Sequence, residues 1–257
     1  MKFVLGIVVP LVLSVSAPAE TPTPPAGGTP SPAPALTPAT PAAAKAAAAT
    51  PSRRHGISYN PPKGLMTGTR INGDGGSRGG GVKLPALYVL TPDATALTTR
   101  AQPSLFWYQS GPAATRFELT VFEPKKAKPL LRVGVEKAGD AGIHRLSLEK
   151  YKVTLTPGVV YKWTVALVPD VANRSQNVIA IGTIQRTEPD ARLAATLATT
   201  EGPDKAALYA SKGFWYDALE AISDAIDAAP ADKSLRAQRA KLLEQVDLKA
   251  AAASDRK

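Results

Sequence analysis

Cysteine is absent from the 257 residues, and histidine occurs only twice, as His55 and His144. The first absence excludes a disulfide-stapled miniprotein, a thiol nucleophile, Cys-ligated zinc and a lipidated N-terminal cysteine. The second excludes a metal site built from several imidazoles. No Gly-x-Ser-x-Gly elbow accompanies His144. The stretch Arg70 to Gly81 is rich in glycine but has no Gly-Lys-Ser/Thr ending, no preceding apolar strand and no following helix, so it is neither a P-loop nor a dinucleotide fingerprint. No cofactor, metal or catalytic residue is expected, and the chain reads as a non-enzyme. The enzyme alternative is a glycan hydrolase using Glu118 and Glu123 as paired carboxylates.

The N-terminus carries one charge, Lys2, then an apolar run from Phe3 to Val15 and the small-residue stretch Ser16-Ala17-Pro18-Ala19. The run is too short for the roughly 20 residues that span a bilayer, and no basic stop-transfer flank follows it. Residues 1–19 are therefore expected to be a signal peptide cleaved after Ala19, giving a periplasmic or secreted protein that is not transmembrane after cleavage. A chain without cysteine suits an oxidising compartment. Residues 20–55 are almost wholly Pro, Ala, Thr, Gly and Ser, with Leu36 as the one bulky aliphatic in residues 20–52. Such a segment cannot bury a core and is expected to be a disordered, semi-extended spacer.

The chain holds 31 Lys plus Arg against 21 Asp plus Glu. Residues 54–190 hold 18 positives and 10 negatives, whereas residues 191–257 hold 10 of each, so the basic character belongs to the middle of the chain. For an exported protein this points to anionic lipid or wall polymer rather than nucleic acid. The candidate anion patch is Arg70, Arg78, Lys125, Lys126 and Lys128. The three lysines also suit an exposed hairpin turn, and the Gly/Arg stretch suits a flexible entry loop.

Residues 56–190 read as an antiparallel β-sandwich of about seven strands: 86–90, 104–109, 115–122, 130–136, 144–148, 160–168 and 178–186. Arg116 to Val121 alternates, placing Phe117, Leu119 and Val121 on one face. The run Leu155-Thr156-Pro157-Gly158 followed by Tyr161-Lys162-Trp163 resembles the tyrosine corner of fibronectin type III and related immunoglobulin-like domains. Tyr161, Trp163 and Trp107 are accordingly expected in the core.

From residue 191 the apolar spacing changes from two to 3.6 and alanine dominates. Pro203 suits a first helical turn, Gly213 a turn between helices, and Pro230 with Asp232 a stop and a cap. Ala206, Tyr209, Gly213, Ala218, Ala225 and Pro230 fall at the offsets of a tetratricopeptide repeat, so residues 191–250 resemble one such unit with a capping helix over 234–248. Tyr209 is placed in its core, and residues 251–257 are expected to be a disordered tail. Phe214, Trp215 and Tyr216 cannot all face one core. At least one of them is expected to be exposed or packed on another domain, which makes the three the candidate partner contact.

The order of these motifs resembles an uncharacterised family of exported bacterial proteins, domain of unknown function 928 (DUF928). The residues carrying the resemblance are Pro61 to Gly64, Gly73 to Gly81, Leu84 to Leu87, Pro103 to Tyr108, Tyr161 to Trp163, Gly182 to Arg186, and Ala206 to Ala210 through Gly213 to Leu219. They span roughly residues 60–248. The resemblance implies placement in the envelope and supplies no mechanism. The functional expectation is an exported, non-enzymatic binding or scaffold protein of the cell envelope, acting on another envelope protein. The alternative is a binder of anionic polymers through the basic β part.

Overall fold

The computed structural model describes residues 56–75, 83–135 and 139–256. The expected signal peptide, the Pro/Ala/Thr-rich spacer and Arg78 lie outside the described residues.

The alternating run at 116–122 forms β4 (Arg116–Phe122), in which Phe117, Leu119 and Val121 are buried as their period of two requires. β4 sits between β5 (Leu131–Val135) and β7 (Val160–Val168), antiparallel to both. β8 (Val178–Arg186) pairs with β7, and β2 (Ala96–Thr98) closes the sheet by running parallel to β8. The order of this five-stranded sheet is β2-β8-β7-β4-β5. A second, three-stranded sheet has the order β1-β3-β6, with β1 at Leu87–Val89, β3 at Ser104–Gln109 and β6 at Gly142–Ser147. The protein is thus α+β, with two sheets and five helices among the described residues.

The chain before β1 joins the two sheets. Ile71 exchanges both backbone hydrogen bonds with Ile181 of β8, and two residues later Gly73 exchanges both with Leu87 of β1. A Cβ at Gly73 would lie 2.8 Å from Val178 Cγ1 and 2.9 Å from the Ile179 carbonyl oxygen, so only glycine lets the strap pass this close.

The helices are α1 (Ala191–Thr199), α2 (Gly202–Ser211), α3 (Trp215–Ala228), α4 (Lys233–Glu244) and α5 (Lys249–Asp255). Pro203 lies in the first turn of α2, and the Asp232 side chain caps α4 by accepting from Ser234 N. Gly213 makes the α2–α3 turn with φ of 81°. A Cβ there would also sit 2.7 Å from Pro62, because residues 57–62 cross the helix ends at this point. Asn60 N donates to the Ala210 carbonyl, while Tyr59 N donates to Gln245 Oε1 and Gln245 Nε2 to the Ile57 carbonyl.

α3 is the central helix. Its buried residues include Trp215, Tyr216, Asp217, Leu219, Glu220 and Ile222, which point in nearly all directions around its axis. It packs on α2, α4, β2 and β3. The division expected at residue 190 therefore separates strands from helices but not one core from another, since Trp163 and Leu119 share a hydrophobic cluster with Trp215 and Leu242.

The tail expected at 251–257 is corrected. Residues 249–255 are α5, with Ala251, Ala252 and Asp255 buried. Alanine-rich sequence with one aspartate has little apolar bulk, but small side chains permit close packing on α4, and Asp255 finds a buried cation in Arg239.

Candidate functional site

The aromatic triplet is not a surface. Phe214 is 7% exposed, and Trp215 and Tyr216 are fully buried. Phe214 precedes α3 and enters a small cluster with Leu97, Leu193 and Leu197. Trp215 and Tyr216 turn toward the strands. Trp215 Nε1 donates to the Leu90 carbonyl at 2.8 Å, and its ring meets Tyr59 edge-on at 4.9 Å. The Tyr216 hydroxyl accepts from Trp163 Nε1 at 2.8 Å and donates to the Thr183 carbonyl at 3.0 Å. The argument that three consecutive aromatics cannot share one core holds, but two adjacent clusters receive them. Their assignment as a partner contact is therefore corrected.

Of the expected core residues, Trp107, Tyr161 and Trp163 are buried and Tyr209 is half-buried. Trp107 stacks between Phe117 and His144, with centroids 4.8 and 5.3 Å away. Thr156 N donates to the Tyr161 hydroxyl at 3.1 Å. His144 Nε2 contacts the Asp140 carbonyl oxygen at 2.9 Å.

The candidate anion patch separates into parts. Arg70 is half-buried and donates through Nη1 to the carbonyls of Thr91 and Val246 at 3.0 and 2.7 Å. Burial draws its guanidinium below the ordinary value, while Asp93 and Asp247 oppose the shift. It is a structural clamp rather than a free cation, and this part of the patch is corrected. Lys125, Lys126 and Lys128 are exposed on the turn joining β4 to β5. Lys126 pairs with Glu123 at 3.2 Å.

Two concave regions compete as the site. The first is a cleft of about 310 Å³ beside α2 and α3, lined by Arg100, Lys205, Tyr209, Asp217, Glu220 and Asp224 among others. Its carboxylates are engaged. Asp217 accepts from Thr99 N and Oγ1, Glu220 from Ser104 N and Oγ and pairs with Arg100, and Asp224 pairs with Arg145. These contacts fasten α3 to β3, to the loop before it and to β6.

Burial pushes the Asp217 carboxyl up from its ordinary 3.8 to about 6, against the lowering effect of the Thr99 and Thr98 hydrogen bonds. A carboxyl raised in this way holds its proton more tightly in the folded chain than in the unfolded one. Its contribution to stability is complete below about pH 4 and is lost as the pH rises through about 6. The swing is on the order of 3 kcal/mol. Asp217→Asn removes the titrating group, so the expected result is a flatter stability profile between pH 4 and 7 by urea unfolding. A slope unchanged from the parent would contradict this account.

The second region is the face of the five-stranded sheet opposite the core. Strand alternation turns Phe122 of β4, Lys162 and Thr164 of β7, and Ile179, Ile181 and Thr183 of β8 to this side, along with Arg132 of β5. Met66 is 65%, Ile71 53% and Ile179 42% exposed here. A shallow groove of about 580 Å³ runs along the face between Met66, Phe122, Pro124 and Lys162. At the opposite end of β4, Glu118 accepts from Arg174 and Arg116, with the Arg174 bond first in holding its carboxyl below the usual range. The face is covered at Thr183 by Thr69 and Thr95, and around Met66, Lys162, Ile179 and Arg132 it is open, partly apolar and predominantly basic. Of the cations and apolar residues of this face, sequence reasoning singled out only the turn lysines, because the other contributors lie on separate strands. Reading the outward positions of 160–168 and 178–186 together would have placed Lys162, Ile179 and Ile181 on one side.

Among the described residues, no group of three or more His, Asp or Glu could hold a metal ion. None of their helices is long and apolar enough to cross a membrane.

The chain that adopts this α+β architecture belongs to a defined family. Residues 73–256 match the model of the Domain of Unknown Function DUF928, well over half of the chain, and the protein is a member of that family. No curated protein matches it. Among solved structures, similarity is found to Astrotactin-2, described as a conserved vertebrate-specific and perforin-like membrane protein involved in neuronal development. The identity is 12% and the TM-score 0.26, over 67% of this chain and 38% of that one. The chain thus spans well under half of that protein's length.

Proposed function

We propose that this DUF928 protein is an exported, non-enzymatic binding protein of the cell envelope, periplasmic or secreted, that engages anionic envelope material through the open face of its large sheet. The observation carrying this reading is the placement of Lys125, Lys128, Arg132 and Lys162 around the exposed part of a sheet face on which the carboxylates of Glu118 and Glu123 are already paired. The protein-scaffold reading relied on exposed aromatics at 214–216, and their burial removes its main support. The hydrolase reading needs a carboxyl with a raised pKa, and Glu118 is shifted the other way.

The two sheets are read as the layers of an immunoglobulin-like sandwich. Supporting this are the packing of β1 on β7 and β8, and the Tyr161 hydroxyl accepting from the backbone five residues upstream. α2 and α3 around Gly213 are read as a single tetratricopeptide-like hairpin, capped by α4.

The test is binding of residues 20–257 to labelled dextran sulfate and to neutral dextran over a range of salt concentrations. The parent should bind only the sulfated polymer, with affinity falling steeply as salt rises. A Lys125→Glu, Lys128→Glu, Lys162→Glu variant should bind about tenfold more weakly or worse. Equal affinity of parent and variant for the sulfated polymer would remove the proposal.

A further inference from the structure

From the same face we infer a more specific partner, in an argument that rests on the anionic-binding reading above: the open sheet face is a docking surface for a lipid bilayer carrying anionic headgroups. A polyanion in water needs only cations to hold it. This face offers large apolar side chains as well, and they are among the most exposed in the protein: Met66, Ile71 and Ile179, at 65%, 53% and 42%. Half-buried Phe122 extends the apolar strip toward the basic turn. Isolated exposed aliphatics are ordinary, but a group of them on one open sheet face marks an interaction site.

The character of the surrounding charge decides between a bilayer and a protein. Protein interfaces are depleted in lysine and enriched in arginine, tryptophan and tyrosine. The cations around the apolar strip are Lys125, Lys126, Lys128 and Lys162, joined by Arg132, whereas Arg116 and Arg174 at the far end of β4 are engaged by Glu118. Lysine suits a headgroup layer, because its apolar stem lies along the acyl boundary while its ammonium extends to the phosphates. Pro124, beside the groove, carries no backbone N–H that would need a partner on leaving water. Apolar contact and electrostatic attraction are each marginal alone, and together they give reversible peripheral attachment.

The experiment uses residues 20–257, which omit the N-terminal apolar run and retain every described residue. Co-sedimentation is measured with vesicles of phosphatidylcholine alone and of phosphatidylcholine mixed with phosphatidylglycerol. The expected result is binding to the mixed vesicles only. A Met66→Ser, Ile71→Ser, Ile179→Ser variant should lose at least about tenfold in vesicle affinity while binding labelled dextran sulfate like the parent. Because the chain has no cysteine, Met66→Cys gives a unique site for a polarity-sensitive dye. Its emission should shift to the blue on mixed vesicles, whereas the same dye on Lys233→Cys, at an exposed position of α4, should not respond.

Three results would overturn the inference: no vesicle binding by a parent that still binds dextran sulfate, equal binding to neutral vesicles, or an apolar triple variant that sediments like the parent. The first leaves the broader anionic-binding function standing. Failure to bind either vesicles or dextran sulfate removes both.

Discussion

Trp215→Ala is expected to destabilise the protein by about 3–5 kcal/mol in urea or guanidinium unfolding, the range for emptying a large buried aromatic site. The indole is fully buried, meets Tyr59 edge-on and donates to the Leu90 carbonyl, so truncation leaves a cavity and an unpaired carbonyl together. Trp215→Phe should fall in between, since it restores most of the volume and none of the hydrogen bond. A partner-facing tryptophan behaves differently, weakening a complex while leaving the free protein intact. A measured loss below about 1 kcal/mol for the alanine variant would therefore contradict the burial described above.

The second large effect is expected at Arg239. Its guanidinium donates to both carboxylate oxygens of Asp255 at 2.7 and 2.6 Å and to Ser223 Oγ at 3.0 Å, joining α3, α4 and α5 in a buried network. Arg236 approaches the same carboxylate at 3.7 Å. Arg239→Met keeps much of the side-chain volume but leaves Asp255 buried beside that weaker partner, and removing one member of a buried ion pair costs about 3–5 kcal/mol. Arg239→Met with Asp255→Leu should recover most of the loss, because two apolar groups leave no charge to desolvate. Removal of residues 249–257 should destabilise comparably by orphaning the arginine. If the double variant is no more stable than Arg239→Met in chemical denaturation, a cause other than the unpaired carboxylate must be sought.

Much of the β part was legible because its strands bury one face and therefore alternate. The limits expected for 160–168 and 178–186 coincide with β7 and β8, and the 104–109 run with β3. β2 was not anticipated. Its three residues Ala96, Leu97 and Thr98 are all buried, so no alternation marks them, and their flanks are threonines and a Pro-Asp turn. α5 was hidden for the related reason that alanine signals burial weakly. At the site, the turn lysines were visible as a local cluster, whereas the apolar half of the face was not. Met66, Ile71, Phe122 and Ile179 reach this face from separate segments, Ile71 through its pairing with Ile181, more than a hundred residues away, and Phe122 through its pairing with Lys162, and no local window contains them. The triplet at 214–216 failed differently, since its placement depends on α3 being surrounded on all sides.

The crossing of the helix ends by residues 57–62 bears on the order in which the molecule can fold. Tyr59 and Ile57 meet Gln245 across 186 and 188 residues, so the first described segment is held by nearly the last helix. Closing loops of that length is a late event, and topologies dominated by distant contacts fold slowly. A chain made from its N-terminus must keep Ile57 and Tyr59 in water until α4 has been synthesised. Any chain that has emerged only as far as α3 therefore lacks part of this core, and the native state becomes available only once Gln245 has followed.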